Sequence, residues 1–219
     1  MKTVNVYIVR HGETIFNTLD KLQGWADSPL TDKGIQLAID TGNTLSNVHF
    51  NSAYASDMKR AIDTAKLILK PNKYLSHLNG ELPEFREAFF GLFEGLDNMS
   101  SWKSIATPYG ASTQAEMLEE VSPLVVRDRM KKADPTGLAE NGEEFITRIH
   151  HGFNQIFDSS ADNDNVLIVS HGTLIRALAI QYGDSSMDPV HEFPLNGGIT
   201  KIIVGPNKLT VTEYNQTSI

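Results

Sequence analysis

Two short apolar runs, VNVYIVR at residues 4–10 and VLIVS at 166–170, each stop abruptly at His-Gly. Runs of this length, rich in Val and Ile and ended by a sharp polar change, read as buried strands. The strand–helix alternation along the chain implies a largely parallel sheet with helices on both faces. A strand that ends in charge also delivers polar groups to the edge of the sheet.

The rest of the chain supplies the helices. Thr31–Leu45 carries Ile35, Ala38, Ile39 and Leu45 at amphipathic spacing. Ala53–Ser56 reads as a short strand running into Asp57–Leu69, where Met58, Ala61, Ile62, Ala65, Ile68 and Leu69 share a helical face. Ser56 is the expected N-cap there. Glu143–Phe157 repeats the pattern, Asn141 and Glu144 forming an expected cap, and Thr173–Tyr182 is a helix after VLIVS. Ile199–Val204 and Leu209–Tyr214, separated by GPNK, suggest a closing hairpin. Between about Leu96 and Glu140 the rhythm loosens around several Pro and Gly, with helices expected from near Gln114 and Ser122-Pro123. The expected architecture is one domain over 1–219, a three-layer α/β/α sandwich with a mostly parallel sheet and an inserted helical lid at about 96–140.

Composition narrows the chemistry. A net charge of −8 gives no electrostatic reason to expect nucleic acid or an anionic membrane as partner. The absence of cysteine removes disulfides, thiolate nucleophiles and zinc–thiolate sites together. No stretch reaches the roughly 20 apolar residues that span a bilayer, and MKTVNVYIVR lacks a long apolar leader segment, so a cytoplasmic protein is expected. The oligomeric state stays open.

In an open parallel sheet, ligands bind beyond the carboxyl ends of the strands. Arg10-His11-Gly12, Ser56-Asp57-Met58-Lys59-Arg60 and His171-Gly172 are therefore expected to converge. Two arginines and two histidines in one crevice suit a dianion, since guanidinium groups match phosphate oxygens bidentately. A neutral imidazole can attack phosphorus, and a second histidine, if protonated, could stabilise the transferring group. The leaving oxygen needs a proton, and LPEFREAFFGLFEG at 82–95 offers Glu84, Glu87 and Glu94 without distinguishing them.

Taken in order, VRHGETIFN, QGWADSPLTDKG, SDMKRAIDTA, REAFFGLFEG and IVSHGTLIRAL resemble the signature of the histidine phosphatase superfamily, the phosphoglycerate mutase-like enzymes, over nearly the whole chain. The resemblance implies that His11 is the phosphorylated nucleophile and that Arg10, Arg60 and His171 hold the phosphoryl group. It further implies Glu87 as general acid, with Asn17, Gln23 and Gly24 lining the same pocket. It implies no metal and no cofactor, and a small-molecule phosphomonoester as substrate. Mutases of this group carry tyrosine where this chain has Phe90, and adjacent arginines in the insertion, where this chain has Arg127 and Arg129 separated by Asp128. The E-x-x-F-G-x-x-E-G pattern from Glu87 to Gly95 is closer to the broad-specificity phosphatases. The implied activity is metal-independent phosphomonoester hydrolysis of the histidine acid phosphatase type. A cofactor-dependent mutase is the alternative, and a non-catalytic phospholigand-binding module is the rival outside enzymes. Trp102, Tyr109 and Met117 are candidates for a lid-side apolar wall or for plain core. His49, His77, His150, His151 and His191 are expected on the surface.

Overall fold

The apolar runs form the strands they suggest. The computed structural model describes residues 1–219. Along the chain, β1 (Val4–Arg10) leads through a one-turn α1 (Ile15–Thr18) to α2 (Asp32–Thr44), then β2 (Ser52–Ala55), α3 (Lys59–Leu69) and a two-residue β3 (Gly80–Glu81). The middle of the chain holds α4 (Asn98–Ala106), α5 (Gln114–Glu120) and α6 (Pro123–Ala133). After it come α7 (Gly142–Ser159), β4 (Asn165–Ser170), α8 (Gly172–Tyr182) and the hairpin β5 (Ile199–Gly205) and β6 (Lys208–Gln216).

The sheet order is β3-β2-β4-β1-β5-β6. The first four strands are parallel, and the hairpin closes the sheet antiparallel to β1. Alternation along β1 and β4 divides the core. Val4, Val6, Ile8, Val166 and Ile168 pack with α7, α8 and the inserted helices, whose Trp102, Ile105, Met117, Val126 and Met130 join the same apolar cluster. Val9, Leu167 and Val169 face the other way, onto Leu45, Ala61, Ala65, Ile68 and Leu69 of the α2–α3 side. The three layers follow from that alternation.

Three elements carried no periodic signal in the sequence. α1 is a single turn and β3 has two residues. α4, NMSSWKSIA, is held instead by its cap, the Asp97 carboxylate accepting from Ser100 N at 2.9 Å. One expected cap is corrected. Met58, not Ser56, occupies the N-cap of α3 and makes no side-chain bond; Ser56 is drawn instead to His171, its Oγ lying 2.6 Å from Nε2. The Asn141–Glu144 box forms as expected on α7.

Register places the site. Arg10 pairs with Ser170 across the β1–β4 ladder, and Ala55 pairs with Val169 across β2–β4. The next residues, His11, His171 and Ser56, therefore emerge side by side. The glycine after His11 has a steric cause. A Cβ on Gly12 would stand 2.4 Å from the Gly34 carbonyl oxygen, so only glycine lets the strand exit pass the first turn of α2.

Candidate active site

His11 is 3% exposed, and its Nδ1 lies 2.8 Å from the Gly12 carbonyl oxygen. A carbonyl only accepts, so Nδ1 carries the hydrogen and Nε2 keeps the lone pair. Burial, then the charges of Arg60 and Arg10, holds the His11 pKa well below the ordinary histidine value. The ring is therefore neutral and nucleophilic at neutral pH.

Beside it lies a hydrogen-bond network centred on Arg60, whose Nε alone has no partner. Arg60, 1% exposed, donates from Nη2 to the Gly24 carbonyl at 2.6 Å and to His171 Nδ1 at 3.0 Å. Its Nη1 reaches the Ala26 carbonyl at 3.0 Å and Asp27 Oδ1 at 2.9 Å. His171 thus accepts at Nδ1 and donates from Nε2–H to Ser56 Oγ. Burial and Arg60 keep its pKa well below the usual value too. The protonated second histidine considered from the sequence is replaced by a neutral one, both of whose nitrogens are engaged. Its ring centroid is 5.2 Å from that of His11.

The three candidate carboxylates have different surroundings. Glu84 faces His151 and Gln155 on α7. Glu94 accepts four backbone N–H bonds, from Gly24 and Ala26 on one oxygen and from Trp25 and Phe90 on the other. It is a tie for the 23–26 loop. Glu87, 5% exposed, sits at the N-terminus of α8, its oxygens accepting from Thr173 N at 2.8 Å, Leu174 N at 3.1 Å and Ala88 N at 2.9 Å. Burial raises its pKa above the ordinary carboxylate value, against the opposing pull of the Thr173 and Ala88 N–H groups and of Arg60 and Arg127.

A cavity of ≈ 1030 Å³ opens in front of these groups. Arg10, His11, Asn17, Gln23 and Glu87 form part of its wall. Two donors there have no protein partner, Gln23 Nε2 and Arg10 Nε. Gln23 Oε1 is held by Thr14 Oγ1 at 2.9 Å and Ser28 Oγ at 2.8 Å, which fixes the amide with its nitrogen free. Arg10 is braced by the Pro194 carbonyl at 2.6 Å and by the Phe193 ring, 5.0 Å away; burial lowers its pKa to about 10. Asn17 turns its Oδ1 to Thr14 N, leaving its amide hydrogens for the cavity. Buried donors without partners on a cavity wall mark where an anion's oxygens fit.

Arg60, His171 and Gly24 are not among the residues that line the cavity. Gly24 is fixed by its neighbours. Its carbonyl receives Arg60, its N–H goes to Glu94, and a Cβ there would stand 2.3 Å from the Ala88 carbonyl oxygen. Of the lid candidates, Trp102 lines the cavity, Met117 is core, and Tyr109 lies under the Arg129 guanidinium at 4.1 Å. The five remaining histidines are exposed, though His191 bonds Asp188 and Glu119, His150 bonds Tyr182 and His151 bonds Glu84. Asn196, which donates to the His11 carbonyl at 2.9 Å, had no local sequence signal, because it arrives from the loop before β5. No group of three or more His, Asp or Glu side chains is arranged to hold a metal ion. The positive charge around His11 comes from Arg10 and Arg60.

Comparison with known proteins gives a consistent answer. The family model of the histidine phosphatase superfamily (branch 1) matches residues 6–217. The chain is 34% identical over 191 residues to fructose-2,6-bisphosphatase TIGAR B of Danio rerio, covering 80% of this chain and 73% of that one. It is 30% identical over 213 residues to the uncharacterized phosphatase PhoE of Bacillus subtilis, covering 97% and 95%. Among solved structures, the phosphoglycerate mutase from Bacillus anthracis superposes with a TM-score of 0.88 at 38% identity, over 99% of this chain and 94% of that one.

Proposed function

The chain belongs to the histidine phosphatase superfamily, and from that premise we propose that it hydrolyses phosphomonoesters through a phosphohistidine on His11, without a metal, with Glu87 as proton donor. The observation that carries this reading is the His11 ring: Nδ1 fixed by the Gly12 carbonyl, a strongly lowered pKa, and a position in the cavity wall.

The Nε2 lone pair attacks phosphorus and the ester P–O bond breaks. The departing alkoxide takes the Glu87 proton. Glu87, now a carboxylate, removes a proton from water, whose oxygen attacks phosphorus as the P–Nε2 bond breaks. Phosphate leaves, and both residues return to their starting states. Arg10 Nε, Gln23 Nε2 and the Asn17 amide supply donors to the phosphoryl oxygens. Arg60 acts through its charge on His11, and His171 bonds Arg60 through Nδ1.

The cavity is far larger than a phosphoryl group and reaches the upper range of small-molecule sites. Further along the cavity, Asn98, Ser100, Ser112, Thr113 and Gln114 offer neutral polar groups beside Phe90 and Trp102, and Asp20, Lys21, Asp97 and Lys103 add charges of both signs. That lining suits an alcohol with hydroxyl or amide groups and an apolar face. A mutase is the second reading, favoured by the likeness to the Bacillus anthracis structure.

The test is phosphate release from a phosphomonoester panel with EDTA present, together with acid-labile phosphate labelling of the protein. Release and labelling by the wild type, both lost in His11→Ala, are expected. Undiminished release by His11→Ala would refute the mechanism. Isomerisation of phosphoglycerate with a bisphosphorylated primer, in place of release, would select the mutase.

A further inference from the structure

Arg148, on α7, does not itself line the cavity, yet its guanidinium gathers the backbone that leads into Glu87. Its Nη1 donates to the carbonyls of Glu84 at 2.7 Å and Arg86 at 3.0 Å, and its Nη2 to that of Glu87 at 3.3 Å. The Glu140 carboxylate fixes the guanidinium by a fork, Nε to Oε1 at 2.7 Å and Nη2 to Oε2 at 2.8 Å. Glu140 also grips the far side of the loop. Its Oε2 accepts from Phe89 N at 3.1 Å, and its N–H donates to the Phe89 carbonyl at 3.0 Å. A second clamp closes from the opposite direction, where Trp25 Nε1 donates to the Glu87 carbonyl at 3.0 Å. Trp25 stacks on Phe89 with centroids 4.8 Å apart and lies under the Arg86 guanidinium.

We infer that Arg148, aimed by Glu140, is the positioning residue for the general acid. This rests on the reading of Glu87 as proton donor. Residues 84–89 have little regular structure of their own beyond one 3₁₀ turn, Pro83–Phe85. Their conformation is set by the groups that bind their carbonyls. A planar five-donor fork can serve three carbonyls and one carboxylate together, whereas an ammonium cannot hold that geometry. Glu140 lies between α6 and α7, so the clamp also ties the segment joining those helices to the acid loop. General acid catalysis falls steeply when the acid is misplaced by even about 1 Å.

The readout is selectivity between leaving groups. Nitrophenolate leaves without needing a proton, whereas an alkoxide from glycerol phosphate needs one. The measured quantity is kcat/KM, which reports steps through release of the alcohol and omits later hydrolysis of the phosphohistidine. Arg148→Gln and Arg148→Lys are expected to lose about 10²-fold with the alkyl ester and less than about threefold with nitrophenyl phosphate, following Glu87→Gln in kind. Glu140→Gln should show the same selectivity at smaller size, and it carries the test if the Arg148 variants fail to fold. Equal losses on both esters, or none, would overturn the inference. Full activity of His11→Ala would instead refute the phosphohistidine reading, whatever Arg148 does.

Discussion

The two ends of the cavity are built on opposite principles. At the end that holds His11, polar groups are densely bonded to one another, with Arg10 Nε, Gln23 Nε2 and Arg60 Nε left without a partner. Arg60 bonds a loop, an aspartate and a histidine; His171 has both nitrogens engaged; Glu94 ties four backbone N–H groups. At the other end, Ser100, Lys103, Ser112 and Thr113 face the cavity from exposed positions, while Trp102, Ile105 and Met117 of the same segment are packed into the apolar core. Gln114 receives Arg176 at 3.1 Å, and Glu119 meets the exposed His191 at 3.2 Å. Arg127 is short of polar partners. It is 1% exposed, Nη1 and Nη2 have no partner, and it rests between Phe90 and Trp102 at 5.1 and 5.4 Å. A rigid network fixes chemistry, and a sparse one leaves substrate choice adjustable.

The largest expected effect is at His11, the proposed nucleophile. His11→Ala should lower kcat/KM by at least about 10³-fold on every ester, because no neighbouring group can replace the lone pair. A substrate-dependent loss would break the comparison, since it would give the phosphoryl end a share in specificity.

Glu87→Gln follows, with about 10²–10⁴-fold loss on alkyl esters. The pH profile sharpens the assignment. The proposed mechanism needs neutral His11, whose pKa burial and the arginine charges hold well below the ordinary value, and protonated Glu87, whose pKa burial raises. The wild-type kcat/KM should therefore decline as pH rises past the Glu87 pKa, and Glu87→Gln should lose that alkaline decline. A decline retained in the variant would assign it to another group.

Gly24→Ala tests the rigidity itself. The new Cβ would meet Glu94 Oε1 at 2.2 Å and the Ala88 carbonyl oxygen at 2.3 Å. A loss of about 1–3 kcal/mol is expected, read as a lower thermal midpoint, with activity falling as Arg60 and Glu94 shift. An unchanged midpoint would show the loop to be softer than its bonds suggest.

Acid should separate the two ends. His11 and His171 have lowered folded pKa values, so the unfolded chain binds more protons below about pH 6.5. Their contribution is whole above that pH and is lost as pH falls toward the folded values. His191 at the lid has a raised pKa from Asp188 and Glu119, so its contribution is present at low pH and lost as pH rises through the folded value. Thermal midpoints between pH 7 and 5 should fall for the wild type and fall less for His171→Gln. His191→Ala should change them only slightly, with the opposite pH trend.

The smallest effects belong to the lid wall. Ser100→Ala and Lys103→Ala should alter kcat/KM by less than about tenfold, by amounts that differ between substrates. A uniform loss across the panel would move these residues into the phosphoryl machinery.

The sequence by itself determined the strands, the layers and the addresses of His11, Arg60 and His171, because apolar alternation and strand ends are local patterns. It also placed the capping box on α7, since Asn141 and Glu144 lie within one turn. It did not separate Glu84, Glu87 and Glu94. Three carboxylates within eleven residues differ only in what the fold brings to them: α7 side chains to the first, the α8 N-terminus to the second, a loop's N–H groups to the third. Ser56 went to His171 and not to its own helix because the β1–β4–β2 register sets the two side by side. Tertiary structure alone decided that both His171 nitrogens are engaged, that the Gly24 carbonyl receives Arg60, and that Arg148, 61 residues from Glu87, reaches its carbonyl. Long-range hydrogen bonds leave no period in a chain, and these choices are made entirely by them.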